Sequence, residues 1–259
     1  MLLRFDDRGV LAIGQASHAW ICGQFGRAWG NDAFGAVAPL EEICLAAEQH
    51  DIGMAAWDLE PGFNPDTGFP LSFIEMPIEV HLRLWAQGPR RLLRQSRYAA
   101  LLASMHGTRL FEKRDLSTLT ADQAERLQGF FADQGNLERG LLDSLRADPL
   151  TAETATDARI GRASQLLWTW DWLSLALCLD WAPDSAKAVP TADAPVDLAL
   201  RAGDGPGQVT LTPWPFRAPV VTVRCEGQRL SDRCGDAEEL REALAQAPWE
   251  TLRFELRSG

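Results

Sequence analysis

Four histidines, His18, His50, His81 and His106, fall in the first half of a 259-residue chain, and each sits on the apolar stripe of a helical pattern. Ile21, Cys22 and Phe25 lie three, four and seven residues beyond His18, the spacing of one helix face. Ile43, Ala46 and Ala47 precede His50 by seven, four and three residues, and Cys44 and Ala47 precede Asp51 at helical spacings. The adjacent His50-Asp51 pair therefore points inward from the last turn of a helix that Pro39, Glu41 and Glu42 open, acids being favoured at the positive end of the helix dipole. Ile78, Leu82 and Trp85 share a face with His81, as Ala99, Leu102, Ala103 and Leu110 do with His106. Any fold of this chain must bring these inward polar groups to partners.

Asp171 sharpens the constraint. It lies within LLWTWDWLSLAL, where no basic residue is near enough in sequence to pair with it, and Asp180 is a weaker substitute at the helix end. An unpaired buried carboxylate costs several kcal/mol, on the order given for buried ions. Taken singly, each histidine is explained as a satisfied core residue. Taken together, four histidines and two aspartates are satisfied at once by divalent metal.

Composition narrows the function classes. A formal charge of -11 argues against a nucleic-acid or anionic-membrane surface, since both partners would be repelled at long range. The five cysteines contain no CxxC pair and mostly sit in apolar stretches, the pattern of reduced, buried thiols. Arg4, Asp6, Asp7 and Arg8 interrupt the run that a signal peptide would need, and no segment is long and apolar enough to span a bilayer. Cytoplasmic is the expected location. GDGPG near Gly203 lacks the lysine of a phosphate loop, and no serine triad is credible when every histidine is better used as a ligand.

The expected fold is mainly α, a helical bundle with a small antiparallel β-sheet plus helix at the carboxy terminus. Residues 1–185 form the helical metal-binding domain, with an amino-terminal hairpin over 2–14, and 186–259 form the small α+β element. Helices are expected from Gln15 or Ser17, up to the His50-Asp51 pair, after Pro77, from Tyr98 to Leu110, from Thr120 to Ala147 with a break at Gly135 or Gly140, and from Ala163 to Trp181. Trp57 to Phe73 is too rich in Pro, Gly, Asn and Asp for a regular element and reads as one long ordered loop. A Pro/Ala-rich connector follows Asp180, and beyond it VDLALRA, QVTLTPWPF, PVVTVRCEG and ETLRFEL alternate as strands around one short helix. The hairpin could join this sheet, because isolated hairpins are marginal.

The order His, His-Asp, His, His, Asp resembles the HD-domain superfamily of helical metal-dependent enzymes. The resemblance covers roughly residues 15 to 180. It implies that His18, His50, Asp51 and Asp171, the last followed by Trp172, Leu173 and Ser174, hold one ion. His81 and His106 are similar to the extra ligands of the binuclear branch, in which Asp51 would bridge two ions. That branch includes phosphodiesterases and di-iron oxygenases resembling myo-inositol oxygenase. At a finer level the chain resembles a bacterial family without an established activity, through QxxHA at Gln15 to Ala19, WGND at Trp29 to Asp32, the pair followed by Trp57-Asp58 and a PxTGxP-like loop, and PWPF. The residue before His50 is Gln49 where that family has an acid.

The chemistry expected is hydrolysis of a small phosphate ester by metal-activated hydroxide. A ligand set of nitrogen and oxygen fits two divalent ions, Fe or Mn, with Zn, Co or Ni also suitable. Asp51, Arg109 and Glu48 are the catalytic candidates, Arg109 because it lies three residues past His106 and could meet phosphoryl oxygens. Trp57, Asp58, Arg90 and Arg94 are the substrate-binding candidates, with Asn64, Asp66 and Thr67 also at the expected mouth. Each has a plain alternative. Arg90, Arg91 and Arg94 could simply be a solvated face of an acidic protein, and Asn64 to Gly68 is good turn chemistry in its own right. The competing functions are a di-iron oxygenase and a non-catalytic metal- or ligand-binding module that acts through the sheet. The partners expected are a small-molecule substrate and a second copy in a homodimer.

Overall fold

A computed structural model describes residues 1–113 and 116–259. The chain opens as a hairpin of β1 (Leu2–Asp6) and β2 (Gly9–Ile13). Gly9 turns it at φ 109°, and a Cβ there would stand 2.3 Å from the Leu230 carbonyl oxygen, so the turn needs glycine on both counts. β2 runs directly into α1 (Gln15–Ala28), the helix of His18. α2 (Leu40–Gln49) ends at His50, and after Asp51 a 3-10 turn over Ile52–Met54 leads into α3 (Ala55–Leu59). α4 (Ile78–Leu92) carries His81, α5 (Arg97–Glu112) carries His106 and α7 (Asp157–Cys178) carries Asp171. Between the last two lies α6 (Ala121–Ala147), which continues through Gly135 and Gly140 without the expected break. Its Thr120-Gln123 capping box starts it firmly, and Leu127, Phe130, Leu141 and Leu145 hold its inner face.

The expectation of a mainly helical chain with a small appended antiparallel sheet is overturned. Strands from both ends of the chain build one curled, mixed, seven-stranded sheet in the order β1-β2-β8-β9-β7-β6-β5. Its later members are β5 (Asp184–Val189), β6 (Val196–Ala202), β7 (Gln208–Thr212), β8 (Val220–Leu230) and β9 (Trp249–Ser258), with α8 (Ala237–Gln246) before the last. Three features account for the difference. The hairpin becomes part of the sheet by pairing β2 with β8. The Pro/Ala-rich connector contains β5, which buries Ala186 and Val189. β9 inserts between β8 and β7, antiparallel to the first and parallel to the second. The segment read as one irregular loop likewise holds the end of α3 and a minimal hairpin, β3 (Phe63–Asn64) with β4 (Phe69–Pro70).

One apolar core joins helices and sheet, running from Ile13, Ile21 and Phe25 through Leu102, Leu167 and Trp170 to Leu198, Leu211, Val223 and Leu256. α1 is the hinge of this arrangement. Pairing of β2 with β8 stops at Ile13 opposite Gly227, and side chains of α1 take over. Ser17 Oγ donates to the Glu226 carbonyl at 2.7 Å and accepts its N–H at 2.9 Å. Gln24, seven residues on and therefore on the same face, donates to the Arg224 carbonyl at 2.8 Å and accepts its N–H at 3.0 Å. These bonds satisfy backbone groups that β2 leaves open.

The far end of α1 is clasped by PWPF. This segment is not the strand expected of it, and it makes only an isolated bridge between Phe216 and Trp29. The Pro215 carbonyl accepts from Gly30 N–H at 3.0 Å, and the Arg217 guanidinium donates to the Trp29 carbonyl at 2.6 Å and to that of Arg27. These carbonyls belong to the unsatisfied last turn of the helix. Among the described residues no helix is long and apolar enough to cross a membrane.

Gly53 sets how closely the His50-Asp51 turn approaches α4. A Cβ there would lie 2.2 Å from the Leu84 carbonyl oxygen, a backbone atom that cannot turn aside. Gly53→Ala is expected to destabilise the protein by about 1–3 kcal/mol, the range for overpacking, as measured by urea unfolding. A variant as stable as the parent would mean that the two segments separate freely.

Candidate metal centre

Five of the six residues expected to bind metal meet at one point in the helical core. His18, His50, Asp51, His106 and Asp171 are all buried, although they come from α1, the turn that ends α2, α5 and α7. Three compact ligand groups arise: His18 with His50 and Asp51, His50 with His106 and Asp171, and His18 with Cys22 and Asp171. The sixth, His81, stands outside these groups but lines the same cavity, its ring 5.3 Å from that of Phe111 and 6.4 Å from that of Trp85.

Hydrogen bonds fix which imidazole nitrogens face the carboxylates. His50 Nδ1 lies 2.9 Å from the Ala47 carbonyl oxygen. A carbonyl can only accept, so the proton is on Nδ1. Its Nε2 then points a lone pair between Asp51 Oδ2 at 3.5 Å and Asp171 Oδ1 at 3.4 Å. His18 repeats the device through a hydroxyl. Ser174 Oγ donates to the Asp171 carbonyl at 2.8 Å, which leaves it to accept from His18 Nδ1 at 2.8 Å. Nε2 of His18 is thereby aimed at Asp51 Oδ2, 2.6 Å away. Two lone pairs directed at carboxylate oxygens repel unless a cation, a proton or a metal ion, stands between them. His106 adds a third nitrogen, with Nε2 3.5 Å from Asp171 Oδ2. Asp51 Oδ1 and His106 Nδ1 are buried without a hydrogen-bond partner.

Electrostatics follow this geometry. Burial alone would lower the His50 pKa, but the charges of Asp51 and Asp171 outweigh it and raise it to about 9. Burial opposes ionisation of Asp51 and Asp171, yet the facing histidines hold both carboxyls below their ordinary value. His106 goes the other way, because burial outweighs its contact with Asp171. Cys22 stays a neutral thiol, pushed up by burial and by the charge of Asp171, with Sγ 3.3 Å from Ser174 Oγ.

The other expected site residues are placed elsewhere. Glu48 turns away from the cluster to a bidentate ion pair with Arg27. Arg109 stacks on Trp168 at 4.1 Å, and the Trp168 ring lies 5.4 Å from that of His106. Arg109 is not among the residues that line the cavity beside the cluster. Asp58 accepts from Gln15 N–H at 2.5 Å and so caps α1, while Trp57 packs beside Gly62. Arg90 and Arg94 are exposed at the end of α4. Asn64 Oδ1 accepts from the N–H groups of Asp66 and Thr67, and the Asp66 carbonyl accepts from Arg233, so this loop is held as a structural turn.

To Trp85 and Leu110, which periodicity placed beside His81 and His106, the structure adds Gln15, Phe73, Ile74, Phe111, Ser174 and Leu175. A cavity of about 220 Å³ opens beside the cluster, walled by Phe73, Ile74, Trp85, Leu110, Phe111 and Leu175 and by the side chain of Gln15. Gln15 lies three residues before His18 and Ser174 three after Asp171. Helical spacing from an assigned ligand was the signal that could have found both.

The His50 proton makes stability in the presence of a chelator depend on pH with a definite sign. Because its folded pKa is raised, the stabilisation is complete below the usual imidazole value of 6.5 and is lost as the pH rises through about 9. The stability difference between the parent and His50→Ala, followed by urea unfolding with chelator present, is expected to shrink across that interval. A constant difference would show that His50 holds no proton there.

No curated protein and no solved structure matches the chain. A family model described as a protein of unknown function, DUF3891, matches residues 1–232, a span that includes every residue of the cluster and the strands that seat α1. The chain belongs to the DUF3891 family.

Proposed function

We propose that the protein is an HD-like, divalent-metal-dependent hydrolase that acts on a small phosphate ester. The observation that carries this reading is the pair of fixed tautomers. Ala47 and Ser174 hold the Nδ1 protons of His50 and His18 away, so that both Nε2 lone pairs converge on the Asp51 and Asp171 carboxylates. Such outer hydrogen bonds orient histidine ligands in metal sites. His18, His50, Asp51 and Asp171 would hold one ion, and His106 and His81 would complete a second with a carboxylate oxygen such as the unpartnered Asp51 Oδ1. Two divalent ions in such a site lower the pKa of bound water toward neutrality and neutralise phosphoryl charge. Hydrolysis consumes one water: a new P–O bond forms to its oxygen, the ester P–O bond breaks, and a proton goes to the departing alcohol.

The protein's own part is to hold the ligands in place and keep bulk water out. Phe111 packs on His81 and Trp85 on His106 in the cavity wall, and Arg109 stacks on Trp168 and is not part of that wall. No arginine or lysine lines the cavity among the described residues. Charge on the substrate would therefore be met by the metal centre itself. The same nitrogen and oxygen ligands would also serve a second reading, a di-iron oxygenase. Five unpaired, buried cysteines support a reducing, cytoplasmic setting.

Elemental analysis of the purified, tag-free protein beside the His50→Ala, Asp51→Ala double variant tests the centre. About two equivalents of divalent metal in the parent, lost in the variant, together with release of phosphate from ester substrates without oxygen, is the expected result. Iron with oxygen uptake and no esterase activity would favour the oxygenase. No metal under any reconstitution would overturn both.

A further inference from the structure

The cavity walls away from the ligand cluster are almost entirely hydrocarbon: Phe73, Ile74, Trp85, Leu110, Phe111 and Leu175. A polar body placed there, such as a sugar ring, would leave most of its hydroxyls facing rings and aliphatic chains with no partner. Its volume of about 220 Å³ lies below the range of about 300–1,000 Å³ typical of pockets for drug-sized ligands. Two polar atoms without a hydrogen-bond partner belong to residues of this wall, the donor Trp85 Nε1 and the acceptor Gln15 Oε1, and Gln15 supplies the only side-chain amide among the described lining residues. Its side chain is buried, its Oε1 has no hydrogen-bond partner, and it shares a helix face with His18. Asp58 bonds its backbone N–H at 2.5 Å and so pins the residue at the mouth of α1. A buried acceptor left alone is costly, and a bound group that carries a hydrogen removes the cost.

From this juxtaposition we infer that the centre takes a ligand with one polar head and a compact apolar body, and that Gln15 is the positioning residue for that head. The inference rests on the hydrolase reading. The substrate class is then the phosphate ester of a compact apolar alcohol, such as an arylmethyl phosphate, and hydrolysis yields that alcohol and inorganic phosphate from one water. Gln15 accepts from the protonated phosphoryl oxygen, while the alcohol's hydrocarbon fills the space between Phe73 and Phe111.

Calorimetric titration of the metal-loaded full chain with benzylphosphonate, methylphosphonate, glycerol phosphate and benzyl alcohol tests this, repeated on Gln15→Leu and Leu110→Asn with metal content and thermal unfolding measured alongside. Benzylphosphonate is expected to bind about tenfold or more tighter than methylphosphonate, from burial of its ring, and tighter than glycerol phosphate. Leu110→Asn narrows that preference. Gln15→Leu, with metal unchanged, loses about fivefold toward the phosphonates, the scale of one net hydrogen bond, and nothing toward benzyl alcohol. Equal affinity for glycerol phosphate and benzylphosphonate overturns the apolar body, and an unchanged Gln15→Leu overturns the role of Gln15. Binding of benzyl alcohol without any phosphonate overturns the phosphate-ester class together with the hydrolase reading, and the retained alcohol distinguishes that failure from the others.

Discussion

Asp51 and Asp171 are buried among three imidazoles in the middle of a helical core, and the charges there cannot be separated without leaving one of them unpaired in a medium that solvates ions poorly. Everything around the cluster serves that requirement. The Ala47 carbonyl and the Ser174 hydroxyl fix the tautomers of His50 and His18, and apolar side chains of α4, α5 and α7 close the remaining sides. The histidines keep both carboxyls ionised against burial, and the carboxylates raise the pKa of His50 in turn. The cluster is thus a set of donors whose arrangement is stable only with positive charge inside it.

The sheet enters through α1. This helix carries His18 and Gln15, and three separate devices position it: continuity with β2, the Ser17 and Gln24 bonds along β8, and the Arg217 and Pro215 contacts at its end. Displacement of α1 would separate His18 from Asp51, so the strands far from the cavity act on its geometry without touching it. The two short motifs at Trp29 and at Pro213, distant in sequence, prove to be two sides of one contact, with the Trp29 and Phe216 rings 5.3 Å apart.

Much of the cluster was legible because helical periodicity is local. Ile21 and Phe25 placed His18 on an inward face, Leu102 and Ala103 did so for His106, and Asp171 stood out as a charge without a local partner in an apolar helix. The auxiliary residues were misplaced where proximity in sequence stood in for proximity in space. Glu48 is one helical turn from the pair but on the side where Arg27 waits. Arg109 follows His106 by three residues, yet it stacks on Trp168 and does not line the cavity. Asp58 was read as a mouth residue and is a cap for a helix forty-three residues earlier. None of these partners is visible in a window of one element.

The sequence by itself determined which side chains face inward on each helix, and with them the nitrogen and oxygen donors that a buried site would have to use. It also marked the carboxy-terminal segments as strands, through their period of two. Tertiary structure alone decided that the hairpin, the connector and those strands form one mixed sheet, which nitrogen of His18 and of His50 faces the carboxylates, and that the cavity beside them is mostly apolar. The division has a physical cause. Side-chain direction repeats with the backbone geometry of neighbouring residues, whereas strand pairing and hydrogen-bond partnership are contacts between residues brought together only when the chain closes on itself.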